Sequence, residues 1–115
     1  MKQGTAQRFQ HIIAAVESLQ HEKHKGLELF KCKIILIDGS NLRILEKYRD
    51  DELVYYSYYW LTTDNELVIG WDNAPHHSQI STHPHHKHFA KKKKPVASDE
   101  RNLASVLTLI ADRLQ

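Results

Sequence analysis

The sequence predicts an α+β domain: a four-stranded antiparallel meander with N-terminal and C-terminal helices packed on one face. Three observations predict it. Apolar residues recur at spacings of three and four in residues 5–25 and again in 98–114, as on a helix stripe. Between them, four β-type runs alternate with short turn signals. Such connections suit antiparallel neighbours, since parallel strands need long crossovers.

Residues 5–25 read as the first helix. Phe9, Ile12, Ile13, Val16 and Leu19 make its apolar stripe. Gly26 suits its C-terminal cap, and His21, Lys23, His24 and Lys25 suit the negative end of its dipole. The sheet spans residues 27–72. Its first strand, Leu27 to Ile37, closes on Asp38-Gly39-Ser40-Asn41, a hairpin signal. The second runs from Leu42 to Tyr48 and ends at the charged turn 49–52. The third runs from Leu53 to Thr62, with Val54, Tyr56, Tyr58 and Trp60 on one face and Tyr55, Ser57 and Tyr59 on the other. The fourth runs from Glu66 to Asp72. A loop follows over 73–97. The last helix covers 98–114, with Ser98 as N-cap and a buried stripe of Leu103, Val106, Leu107, Ile110 and Leu114.

All 115 residues are expected to form one domain, with 41% hydrophobic residues enough for a single core. The single cysteine, Cys32, excludes an internal disulfide and a multi-cysteine zinc site. Lying in an apolar run, it reads as a buried structural thiol. Met1 to Gln10 is polar and lacks a signal-peptide pattern, and the longest apolar run, Ile34 to Ile37, is too short to cross a membrane. A cytoplasmic protein without membrane contact is the expectation.

The loop carries the chemistry. Six of the nine histidines lie between His76 and His88, and Pro75 and Pro84 rule out a helix through them. Residues 73–98 hold five lysines and no acid (+5), whereas the other 89 residues hold 11 basic and 14 acidic groups (−3). A net charge of +2 thus hides a cationic loop that includes Lys91 to Lys94.

Three strings, Tyr56-Ser-Tyr-Tyr-Trp60, Trp71-Asp-Asn-Ala-Pro-His-His77 and Thr82-His-Pro-His-His-Lys-His88, resemble the TumE family of toxins from bacterial toxin–antitoxin modules. Glu46 also fits that family's pattern. The likeness extends from about Leu42 to the last helix. It departs at Trp71, where a smaller aromatic is usual, at Gly70, where Arg is frequent, and at Tyr59, where His is frequent. The resemblance implies a small cytoplasmic toxin neutralised by a helix-turn-helix antitoxin, with a homodimer in the complex as a further expectation. The element order is also similar to the RelE kind of ribonuclease toxin, a likeness of fold alone.

The leading expectation is a metal-independent endoribonuclease. Cleavage through the 2′-hydroxyl needs a base, an acid and a cation for the phosphorane charge. His77, His86 and His88 are candidates for proton transfer, Lys87 for phosphate charge and Asp72 for orienting an imidazole. Tyr56, Tyr58 and Trp60 are candidates for base stacking and the lysine run, including Lys91 and Lys92, for the RNA backbone, with Glu46, Asn73, His76, His83 and His85 completing the binding set. The blander readings are a solvated loop, a strand-ending turn at Asp72-Asn73 and core packing for the tyrosines. Two alternatives remain. One is a divalent transition metal held by His77, His83, His86 and Asp72 in a nuclease or hydrolase, although no His-Glu-x-x-His spacing is present. The other is a binding protein without catalysis. The four glycines are scattered, so no phosphate-cradling loop supports nucleotide transfer.

Overall fold

A computed structural model describes residues 4–115; the first three residues of the polar Met1–Gln10 start lie outside the described residues. The chain is mostly sheet. Seven strands follow one another in order as an antiparallel meander: β1 (Ile13–His24), β2 (Leu27–Leu36), β3 (Asn41–Arg49), β4 (Glu52–Leu61), β5 (Leu67–Asp72), β6 (His86–Phe89) and β7 (Val96–Ala97). Two helices flank them, the single turn α1 (Thr5–Arg8) and α2 (Leu103–Arg113). This overturns the expected four-stranded sheet with two packed helices.

The largest correction is the first helix. Residues 13–24 pair with β2 instead, and the register slips between Ile13 and Ala15 and again between Glu17 and Gln20. Each slip inserts one residue into β1. A bulge turns the strand period of two into a spacing of three, so Ile13 and Val16 both meet the core side through Leu36 and Ile34. That arithmetic produces the helix-like stripe. Leu19 falls within the second bulge and is 59% exposed. His21, Lys23 and His24, assigned to a helix end, are strand residues, and the His21 ring stacks on Phe30.

Gly26 serves a different turn from the one expected. Lys25 and Gly26 both have positive φ (48° and 80°), the two-residue hairpin geometry that matches strand twist. A side chain at Gly26 would also meet Asp50 at 2.5 Å. A helix cap and such a hairpin ask the same freedom of glycine, so the residue alone does not choose between them.

The four strands expected between 27 and 72 are present as β2 to β5 with ends shifted by a residue or so. Cys32, Ile34 and Leu36 of β2, Leu42 and Ile44 of β3, Tyr56, Tyr58 and Trp60 of β4, and Ile69 and Trp71 of β5 form the core with Leu103, Val106, Leu107 and Ile110 of α2. Val54 departs from its expected partners. A register slip between Lys47 and Tyr48 leaves it 48% exposed. Burial pushes the Cys32 thiol above its ordinary pKa, as an inert structural cysteine requires.

Helix α2 starts later than expected. Asn102 is its N-cap, accepting from the Ser105 N–H at 2.9 Å, while Ser105 Oγ accepts from the Asn102 N–H. Ser98 is instead buried before the helix, donating its N–H to Thr82 Oγ1 at 2.9 Å. Leu114 is only partly buried, because the helix ends at Arg113. No helix among the described residues is long and apolar enough to cross a membrane.

Candidate active site on the open sheet face

The segment expected to be one loop over 73–97 contains two strands. The prolines exclude a helix but both precede His86, and His86–Phe89 alternates as a strand should. It pairs with β5 as Asp72↔His86, Trp71↔Lys87, Gly70↔His88 and Ile69↔Phe89. Period two then sorts these side chains. Trp71, Lys87 and Phe89 point toward α2, whereas Asp72, His86 and His88 point to the opposite, open face.

On that open face His86 is 2% exposed. Its Nε2 lies 2.9 Å from Asp72 Oδ1 and its Nδ1 lies 3.0 Å from the Pro84 carbonyl oxygen. Both ring nitrogens therefore face oxygen atoms, and the two contacts fix the ring's orientation. Asp72 Oδ1 also accepts the Ala74 N–H at 2.9 Å, which fixes the carboxylate. His88 Nε2 stands 3.6 Å from Asp72 Oδ2, too far for a hydrogen bond. Burial lowers the His88 pKa, and His86 and His77 add to that against the pull of Asp72. His77 completes the group from the intervening loop. Ring centroids are 4.9 Å apart for His77 and His86, 5.0 Å for His86 and His88, and 6.3 Å for His77 and His88.

The other expected site residues lie elsewhere. Lys87 donates to Glu100 Oε1 at 2.8 Å beneath α2, and the Trp71 indole N–H donates to the same oxygen at 3.0 Å. Burial raises the Glu100 pKa, but these two donors outweigh it and hold the carboxyl below its ordinary range. Tyr56 and Tyr58 are core residues on the helix side. The Tyr58 hydroxyl donates to buried Glu46 Oε2 at 2.6 Å, and burial with the Glu46 charge pushes its pKa far up. Glu46 lines a separate cleft of about 780 Å³ with Arg8, Tyr48 and Arg101. The Tyr56 hydroxyl shares a 2.8 Å hydrogen bond with His85 Nδ1. Asn73 extends the β4–β5 ladder, accepting from the Tyr56 N–H at 2.9 Å and donating to the Val54 carbonyl at 3.2 Å. His76 and His83 are exposed and stand outside the imidazole group. Lys91 and Lys92 are exposed between β6 and β7, and Lys92 Nζ lies 5.4 Å above the Phe89 ring on the helix side.

Sequence reasoning missed Tyr55, Ser57 and Tyr59, which share the open face through the pairs Lys47↔Tyr55, Ser57↔Asp72 and Tyr59↔Gly70. The signal was the alternation within β4; what it lacked was the face on which Asp72 ends. The Tyr59 ring covers Gly70, where a Cβ would sit 2.5 Å from Cδ1 and Cε1. Burial and nearby Asp72 raise the Tyr59 pKa, which keeps it a neutral phenol. Gly70→Ala is expected to destabilise the fold by roughly 1–3 kcal/mol by pushing this ring off the sheet. The loss should shrink in a Tyr59→Ser background, which urea unfolding of the four variants would measure.

Fold and site together define a small protein with a buried histidine–carboxylate pair on the face of an antiparallel meander opposite α2. The chain matches the family described as Toxin TumE over residues 5–114, nearly its whole length, and belongs to that family. It is thus the toxin component of a toxin–antitoxin system, and an antitoxin is its implied partner. No curated protein and no solved structure matches the chain.

Proposed function

We propose that this toxin is a metal-independent endoribonuclease acting through His77, His86 and His88. The observation that carries the reading is their convergence around Asp72 on an open face. Neutral His88 takes the proton from the RNA 2′-hydroxyl. The 2′-oxygen then attacks the adjacent phosphorus, and the bond to the 5′-oxygen breaks. His77, entering as imidazolium, gives its proton to that leaving oxygen. His86, pinned between Asp72 and the Pro84 carbonyl, fixes the carboxylate beside His88 and orients the group. The products are a 2′,3′-cyclic phosphate and a 5′-hydroxyl. Lys87 takes no part in this scheme, because its ammonium is turned to Glu100 on the helix side.

A second reading is favoured by one observation. Ligand atoms of Asp72, His86 and His88 lie within 4.8 Å of one another. The Pro84 carbonyl on His86 Nδ1 is also the kind of support a metal-bound imidazole uses. These residues fit a divalent transition metal better than the set with His83 would, since His83 is exposed and is not one of the three whose ligand atoms converge. RNA ends separate the readings. Incubating purified protein with single-stranded RNA and excess chelator is expected to give cyclic phosphate ends at an undiminished rate. Ends carrying a 5′-phosphate, lost on chelation, would replace the proposal with the metal reading; intact RNA in both conditions would end both.

A further inference from the structure

Cross-strand register places the histidines at the end of a row of side chains crossing the sheet. Opposite residues on paired strands share a face. One row runs Lys33, Arg43, Tyr59, Gly70, His88, and the next runs Lys31, Leu45, Ser57, Asp72, His86. Lys47 and Tyr55 begin a third, with Lys47 Nζ 5.5 Å from the Tyr55 ring centroid. Four cations therefore occupy β2 and β3, two phenol rings occupy β4, and the imidazoles follow on β5 and β6. At about 4.8 Å between neighbouring strands, β2 lies about 19 Å from β6.

The row is not flat. A cavity of about 310 Å³ opens between the cations and the phenol, lined by Gln20, Lys31, Lys33, Arg43, Ser57 and Tyr59. Among the described residues, Lys31, Lys33, Arg43 and Lys47 enter no ion pair. Arg43 is steadied by neutral partners, Asn41 Oδ1 at 3.4 Å and Asn65 Oδ1 at 3.5 Å, so its charge stays uncompensated. Glu17, opposite Lys33 on β1, is the acid that borders the row.

We infer that this face is the binding track for single-stranded RNA, which crosses the strands from Lys33 and Arg43 over Tyr59 to His88. The inference rests on the ribonuclease reading and assigns its substrate class and its grip. Cations near the start hold phosphates, and Tyr59 offers a ring to an unpaired base, which a duplex keeps stacked inside. The four-lysine loop is not this grip. Lys92 turns toward Phe89, whose side chain lies on the helix side of β6. An acidic segment of the antitoxin would suit the cations equally well. It would give no reason for a phenol and a cavity leading to a proton-transfer centre.

The test uses the full chain carrying His88→Ala, so that bound RNA survives, and a fluorescent ten-nucleotide RNA followed by anisotropy. Lys33→Gln with Arg43→Gln is expected to weaken binding at least tenfold and to flatten its salt dependence, and Tyr59→Ala to weaken it severalfold. Lys91→Gln with Lys92→Gln should cost less than the sheet pair, and a matching duplex should compete poorly. Thermal melts confirm that each variant is folded, and the single change Arg43→Gln replaces the pair if the pair is not. The track is overturned if the loop variant loses more binding than the sheet variant. It is also overturned if the sheet variant keeps RNA binding and loses only the antitoxin, or if duplex binds equally well. RNA bound on the sheet face by a wild-type protein that cuts no RNA would sink the nuclease reading and leave the track standing. Wild-type cleavage with an unchanged KM in the sheet variant would do the reverse.

Discussion

Replacing His88 by alanine is expected to slow RNA cleavage by roughly 100- to 10,000-fold, the usual contribution of one proton-transfer residue. KM should change little, because the imidazole acts on a proton rather than on the strand. His88 is only partly buried, and its Nε2 stands 3.6 Å from Asp72 Oδ2, so the melting temperature should move little. The pH profile gives an independent readout. Only neutral His88 accepts the proton, and burial lowers its pKa beneath the ordinary 6.5. Activity should therefore persist below pH 6.5 and then fall as the ring becomes protonated. In the residual activity of His88→Ala that acid limb should disappear. A variant that cuts RNA at the parental rate, with the same limb, would remove His88 from the mechanism.

Several parts of this centre could be read in the sequence, and the reasons differ. Asp38-Gly39 and the alternation of Tyr56, Tyr58 and Trp60 are local signals, and both appear in the structure as a hairpin and a core face. The histidine cluster stood out by composition. Its membership did not, because His85 and His86 are neighbours in sequence yet meet different partners, Tyr56 and Asp72. Once His86–Phe89 is a strand, period two sends Lys87 away from His86 and His88; treating the segment as a loop hid that consequence. The N-terminal error had another origin. Two bulges in β1 imitate helical spacing, and the pairing with β2 that creates them is a tertiary fact. The tyrosines were placed on the correct strand faces, but the face that matters depends on where Asp72 falls on the neighbouring strand β5. Tyr59 and Gly70 illustrate the limit. In the sequence they are two separate departures from the family pattern, whereas the fold joins them as one contact.

Trp71→Ala is expected to destabilise the protein by roughly 3–5 kcal/mol, a large fraction of what a domain of this size holds. Trp71 is fully buried against α2, and its indole N–H ends on Glu100. Removing the ring leaves a void and takes one of two donors from a carboxylate that also binds Lys87. Trp71→Phe keeps most of the volume and loses only the N–H, so it should cost far less, about 1–3 kcal/mol for the unmet acceptor. Trp71 and Asp72 are adjacent on β5 but face opposite sides, one in the core and one beside His86. Both Trp71→Ala and His88→Ala should therefore abolish growth arrest, for different reasons. Urea unfolding separates them: the midpoint falls sharply for Trp71→Ala and stays near the parent's for His88→Ala. Lowering the temperature should restore cleavage to the tryptophan variant, whose histidines are intact, and not to the histidine variant. A tryptophan variant of parental stability would mean that β5 is not anchored through its core side, and with it would go the account of how Asp72 is held in place.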